Sequence, residues 1–272
     1  MIEIGLIGGG FTHAHSSTDW KKPTKLTFCS NQLKDVTCFV DEAIVPNIGL
    51  SGIKKIGWIL ESSAIQPHVV NDIITHWKEI SDSYEFIISH DRRIVDLAPN
   101  FYYLPPHGYW VGQYGQPEPQ IYPKTKLCSM VTSNKRMCPG HDYRLSWMKK
   151  LQDHVDLYGR GFNDFQYKED ALADYLFSVT IENDSYETYW TEKILDCFVC
   201  GTIPIYHGAP DIGDYFNMDG VILLTDDFDI KSLTPELYLS KEEAIIDNFN
   251  RALQYNVIED LMWDKYIYKL YN

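Results

Sequence analysis

The chain has 272 residues, 44% of them hydrophobic, and a net charge of −14 at pH 7. That length and apolar content suit one large α/β domain or two small ones. The acidic balance excludes a broad basic face for duplex nucleic acid, so an anionic ligand needs a local cluster of cations. Six cysteines make no dense disulfide framework. Cys197 and Cys200 form a C-x-x-C pair late in a helical stretch, flanked by Phe198 and Val199; with no second pair for zinc, buried reduced thiols are expected. No run of about 18 apolar residues and no signal peptide is seen. These features predict a soluble protein of a reducing compartment, the cytoplasm, without a transmembrane segment.

In chain order, Ile2–Ile7 reads as a strand entering Gly8-Gly9-Gly10. Ile56–Leu60 is a second strand ending in Glu61. Apolar residues at 69, 70, 73, 74, 77 and 80 predict a helix over 69–80. Tyr84–Ser89 is a further strand. From about Leu104 to Pro123 the chain is rich in Pro, Gly and Tyr and has neither period, which reads as a linker. A second block then begins, with strand 127–132, helix 141–151, strand 155–158 and a short helix 168–174. Strand 176–181 leads through a polar, aromatic loop to a helix opening at Glu192 and stopping at Gly201. A short strand follows, then strand 221–224, and Ser240-Lys241-Glu242-Glu243 predicts a capping-box start for a helix reaching about Tyr255.

Alternating strands and helices favour parallel sheets. The expected architecture is α/β: two Rossmann-like domains whose parallel sheets face a central cleft. The first domain spans 1–122 with its linker from about 104. The second spans 123–272, and its last helix, within 260–271, is expected to return to the first domain.

Ligands in such sheets sit beyond the carboxyl ends of the strands. Glu61, Ser133-Asn134, Glu182-Asn183 and Asp226-Asp227 fall at such ends. Glu192 and Lys193 start a helix, where unpaired N–H groups already favour an anion. Gly8-Gly9-Gly10 is a poor dinucleotide fingerprint: no third glycine opens a helix, Asp19 is too near to serve as the ribose acid and Asp41 too far. His13-x-His15 reads as a polar loop rather than a metal site, and Lys135 and Arg136 as loop surface. Trp110 and the tyrosines around it fit either a sugar-stacking surface or an inter-domain wedge.

The span 175–228 resembles the family 10 glycosyltransferases, the α-1,3/1,4-fucosyltransferases. The resemblance is carried by Glu182-Asn183-Asp184-Ser185, Tyr189-Trp190-Thr191-Glu192-Lys193, Gly201-Thr202-Ile203-Pro204, Gly208-Ala209-Pro210 and Asp226-Asp227-Phe228. Upstream, Val131-Thr132-Ser133-Asn134 with Arg144, and Tyr158-Gly159-Arg160, extend it to roughly 126–229. Leu60-Glu61-Ser62 is similar to the family strand that ends in the proposed catalytic base.

The resemblance implies a GT-B-like fold, with 1–122 on the acceptor side and 123–272 binding the nucleotide sugar, and transfer of fucose from GDP-fucose to a hydroxyl of a glycan acceptor, with inversion, no tightly bound cofactor and no required divalent metal. Glu61 is then the base; it is also the one carboxylate that the sequence places at a strand end of the first half after an apolar lead-in. Arg144 and Lys193 hold the donor phosphates. Asn183, Tyr189 and Glu192 orient the sugar, and Ser133, Asn134 and Gly159 approach the nucleoside; the role of Glu182 stays open. Asp226-Asp227 is expected to hydrogen-bond its own loop rather than bind metal. Three rivals remain: a nonenzymatic glycan- or nucleotide-binding module of this fold, a transferase using another nucleotide sugar, and, from Gly8–Gly10, a nicotinamide-dependent oxidoreductase.

Overall fold

The computed structural model describes residues 1–8, 21–112 and 115–271. Gly9, Gly10, His13, His15 and Tyr114, which the sequence reading singled out, lie outside the described residues. The chain divides into two compact units, one made of 1–108 with 257–272 and the other of 109–256.

The first unit contains β1 (Ile2–Ile7), β2 (Leu26–Ser30), β3 (Val36–Val40) and β4 (Lys54–Trp58). Helices α1 (Pro67–Thr75) and α2 (Trp77–Ser83), strand β5 (Phe86–Ser89), α3 (Arg92–Val95) and β6 (Phe101–Tyr103) follow. Its sheet runs β2-β1-β3-β4-β5-β6, with every pairing parallel. Alternate residues of β3 feed opposite faces: Val36, Cys38 and Val40 join one apolar cluster with Ile4, Trp58 and Ile88. Phe39 joins the other, with Ile44, Val70, Ile73 and Ile87. A strand buried on both faces shows no polar alternation, which is why β3 left no sequence signal.

The second unit contains β7 (Lys126–Val131), α4 (Pro139–Leu151), β8 (Asp156–Tyr158), α5 (Lys168–Leu172) and β9 (Tyr175–Ile181). It continues with α6 (Glu192–Val199), β10 (Ile203–His207), β11 (Ile222–Leu223), α7 (Pro235–Leu239) and α8 (Glu242–Ala252). The sheet order is β11-β10-β9-β7-β8, again all parallel. Leu145, Met148 and Leu151 of α4 pack with Phe177, Val179 and Ile205 in one core. Ile194, Leu195 and Phe198 of α6 pack with Trp190 and Phe216 in another.

Counted from its own first strand, the second sheet has the doubly wound order 2-1-3-4-5, and the first has the same order extended by a sixth strand, 2-1-3-4-5-6. Such a sheet reverses direction between its first and third strands, and ligands gather there at the strands' carboxyl ends. The reversal lies between β1 and β3 in the first unit and between β7 and β9 in the second.

Several sequence expectations shift. The helix predicted over 69–80 is two helices, separated at His76 where the backbone leaves helical dihedrals (φ −105°, ψ 19°). The capping box at Ser240 does not form: Ser240 is the C-cap of α7, and Lys241 stands at the N-cap of α8 without a side-chain cap bond. The unit boundary falls at Gly108 rather than near 122, because Tyr109 and Val111 pack into the core around α6. The last helix, α9 (Ile258–Lys265), belongs to the first unit, where Ile258 and Met262 pack against the β1–β5 face and Asp260 accepts from the Thr24 and Lys25 amides.

Met262 is fully buried in that cluster. Met262→Ala is expected to cost about 2–5 kcal/mol of stability, read as the shift of a urea transition monitored on the first unit; a change below about 0.5 kcal/mol would mean that α9 is dispensable to its core.

Candidate functional site

A cavity of about 440 Å³ opens in the second unit at the reversal between β7 and β9. Ser133, Arg144, Gly159 and Lys193, four of the residues expected from the sequence, line it together. Asn134, Asn183, Tyr189 and Glu192 stand outside that lining; Asn183 and Glu192 are linked to it through Arg144 and Lys193.

Arg144 comes from the middle of α4. The helix can start close to the end of β9 because residue 140 is glycine: a Cβ there would sit 2.0 Å from the Asn183 carbonyl oxygen. Arg144 then donates from Nε (3.1 Å) and Nη2 (2.8 Å) to the Ile181 carbonyl, and from Nη2 (2.7 Å) to Asn183 Oδ1. Three of its five donors are committed to the protein, and Nη1 is left for a ligand. Burial lowers the Arg144 pKa from its ordinary value, while the Glu182 and Glu192 carboxylates work to raise it.

Lys193 sits in the first turn of α6. Its Nζ lies 2.9 Å from Thr191 Oγ1 and 3.3 Å from both Glu182 Oε2 and Glu192 Oε1. Burial opposes its charge, but Glu192 and Glu182 outweigh that and hold the ammonium above its ordinary pKa. Glu182, whose role the sequence left open, is 1% exposed and accepts from the Thr191 amide (2.9 Å) and hydroxyl (2.8 Å). It closes the 183–190 loop and fixes the start of α6. Thr191 in turn accepts from the Lys193 amide as N-cap.

Gly159 reaches the cavity for a reason other than ligand approach alone. Its φ is +114°, and a Cβ would lie 1.9 Å from the Thr132 carbonyl oxygen, so only glycine lets the β8 end sit against the β7 end. Tyr189 is buried and stacks on Tyr186 with ring centroids 4.9 Å apart. Asp227 accepts from the Thr225 hydroxyl within its own turn. Among the described residues no group of three or more His, Cys, Asp or Glu could hold a metal ion, and no helix is long and apolar enough to cross a membrane. Cys197 and Cys200 are buried free thiols, raised by burial from their ordinary pKa.

The sequence reading missed Lys168 and Asp196, which line the cavity beside Trp110. Asp196 Oδ1 accepts from the Trp110 (2.6 Å) and Val111 (3.3 Å) amides, and Lys168 Nζ lies 3.4 Å from Asp196 Oδ2 and 5.1 Å from the Trp110 ring centroid. One signal was available: Asp196 follows Lys193 by three residues and Glu192 by four, on one face of α6.

In the first unit, Glu61 follows β4 and is partly buried. It is not the sole carboxylate beyond a strand end there, which corrects the elimination made from sequence. Asp41 follows β3 and Asp91 follows β5, both buried. Asp91 is engaged by the Arg93 side chain and amide at the start of α3. Asp41 Oδ1 accepts from the Leu60 amide (2.8 Å), and His90 Nε2 lies 3.3 Å from the Glu61 carbonyl oxygen. Glu61 is the most accessible of the three carboxylates.

Two α/β units with all-parallel sheets define the GT-B class of glycosyltransferase fold. A T4 phage BGT mutant in complex with UDP-glucose aligns over 98% of this chain and 99% of its own, with a TM-score of 0.52 and 10% identity, a likeness of fold alone. Residues 121–268, more than half of the chain, match the model of glycosyltransferase family 10 (fucosyltransferase) C-term. The chain belongs to that family. An alpha-(1,3)-fucosyltransferase of Helicobacter pylori is 36% identical over 66 residues, covering 24% of this chain and 14% of its own. Alpha-(1,3)-fucosyltransferase B of Drosophila melanogaster is 28% identical over 149 residues, covering 49% of this chain and 33% of its own. The matched stretches thus span a third or less of these relatives.

Burial raises the Asp196 carboxyl to about 6, against the opposing Lys168 charge. The folded state therefore keeps a proton that the unfolded chain releases from about pH 4 upward, so this group's contribution falls as pH rises from about 4 to about 6. Asp196→Asn is expected to remove that slope, on the order of 2–3 kcal/mol across the window; parallel wild-type and variant curves in chemical denaturation at pH 4 to 7 would contradict it.

Proposed function

We propose that this chain transfers fucose from GDP-fucose to a hydroxyl of a glycan acceptor, with inversion at the anomeric carbon. The observation that carries this reading is the convergence of Arg144 and Lys193 with Ser133 and Gly159 on one cavity at the strand reversal of the second unit. Two cations supported by fixed partners suit a diphosphate, which Arg144 can meet with its outer nitrogen and Lys193 as a point charge. Family membership supports the choice of a fucosyl group and, with it, of guanosine diphosphate as its carrier.

In this reading Ser133, Asn134 and Gly159 take the nucleoside, while Asn183, Tyr189 and Glu192 orient the sugar. The acceptor oxygen attacks the anomeric carbon as the bond to the β-phosphate oxygen breaks. The acceptor proton passes to Glu61, and the electron pair of the broken bond leaves on GDP. Arg144 and Lys193 stabilise that charge as it develops, in the position that a tightly held divalent ion fills in other transferases. Binding a diphosphate draws Lys193 partly away from Glu182 and Glu192, so both carboxylates keep the empty site neutral until donor arrives.

Glu61→Gln is expected to leave GDP affinity near normal and to cut transfer by about 10²-fold or more; unchanged turnover would remove Glu61 from the chemistry. Lys193→Ala and Arg144→Ala are each expected to weaken GDP by about 10- to 100-fold while guanosine binding changes little, measured by calorimetry. Equal losses for the two ligands would mark both cations as structural.

A further inference from the structure

The first unit has its own strand reversal, between β1 and β3, and the residue that leaves β3 at that point is Asp41. Its backbone is in the left-handed region (φ +47°), a conformation that Asp tolerates better than most residues but still disfavours. The side chain is 3% exposed. Oδ1 accepts from the Leu60 amide at 2.8 Å, and the Glu61 amide also favours the Asp41 carboxylate. Oδ2 is buried with no hydrogen-bond partner among the described residues. A disfavoured backbone and an unpaired buried oxygen are both costs to folding. A glycine or asparagine would make this turn without a buried charge.

We propose that Asp41 is a positioning residue for Glu61: Oδ1 holds the peptide that carries Glu61 in place, and the unpaired Oδ2 sets the electrostatic field in which the Glu61 carboxylate works. The inference rests on the reading of Glu61 as the proton acceptor.

The Glu61 charge acts on Asp41, so by linkage the charge of Asp41 acts equally on Glu61. Burial, and then the Glu61 and Glu42 charges, raise Asp41 to about 7 against the opposing Leu60 and Glu61 amides. The groups facing Asp41 come from four elements: Cys38 on β3, Glu42 in its own turn, His68 and Asp72 on α1, and Glu61 beyond β4. His68 is paired with Glu42 at 2.9 Å, and of the two neighbouring carboxylates Glu61 acts on Asp41 more strongly than Glu42 does. Below about pH 7 Asp41 carries a proton and Glu61 ionises beside a neutral neighbour. Above it both are negative, and Glu61 becomes a stronger base. No proton passes between Asp41 and substrate; the effect is on the proton affinity of Glu61.

The test is a carbon-13 carboxyl NMR titration of the whole chain, paired with donor hydrolysis in which water replaces the acceptor. Asp41→Asn keeps the oxygen that accepts from Leu60 and removes the titrating charge. In the wild type the Glu61 resonance is expected to show a second inflection near pH 7, absent in Asp41→Asn. GDP-fucose hydrolysis is expected to rise about threefold to tenfold between pH 6 and 8 in the wild type and to stay flat in the variant. A single Glu61 inflection in the wild type, or superimposable pH profiles, would overturn the proposal. So would an Asp41→Asn protein that loses activity equally at every pH with a lowered melting temperature, since Asp41 would then be structural only. Glu61→Gln separates the two ideas: if that variant hydrolyses donor normally, the base assignment fails, whereas the NMR coupling is read independently of turnover.

Discussion

The buried carboxylate of Glu182 governs the site in the second unit. It leaves the carboxyl end of β9, takes both the amide and hydroxyl of Thr191, and meets Lys193. Without it the helix start and the ammonium would each lose their anchor. Arg144 performs the matching task from the other side, gripping the Ile181 carbonyl and the Asn183 side chain. The two cations thus have fixed partners within the protein, and in the proposed function they are in position before any anion arrives. That preorganisation is what makes a charge cluster useful to a developing leaving group, since little reorganisation is left for the moment of reaction. A buried charge that lost its partner would be expensive, so each member of the network enforces the others.

Much of the second unit was legible because its strands alternate with well-separated helices, and because Thr191-Glu192-Lys193 places a cap, a carboxylate and an ammonium within one turn. The function of Glu182 was hidden for the same reason that it matters: its partners, Thr191 and Lys193, come from beyond a loop, and no local pattern announces a carboxylate that closes it. Lys168 was invisible as a site residue, and Trp110 stood only as one of two alternatives, because Asp196 recruits them from segments far apart in the chain. Gly159 was placed in the site on an argument about ligand approach, whereas the Thr132 carbonyl already demands it.

The first unit was harder to read. β3 is buried along its whole length and so carries no period-two signal, while β2 and β6 are edge strands of five and three residues, too short to show one. Missing β3 meant that Asp41 could not be recognised as a strand-end residue, and Glu61 stood in false isolation. The two sheets share one winding order over their first five strands, yet their strand ends differ: Arg144 and Lys193 line the cavity at the second reversal, with Glu182 and Glu192 against Lys193, whereas Asp41, Glu61 and Asp91 follow three adjacent strands of the first sheet.

The chain leaves the first unit at Gly108 and re-enters it at Val257. The stretch 109–256 is contiguous and carries its own core, whereas the sheet of 1–108 lacks Ile258, Met262 and Ile267, which cover the β1–β5 face, until the chain has returned. The N-terminal sheet therefore cannot bury that oily face from its own contiguous sequence. A fragment cut after residue 256 would hold one self-sufficient unit and one sticky one, the form that chaperones would be called upon to guard.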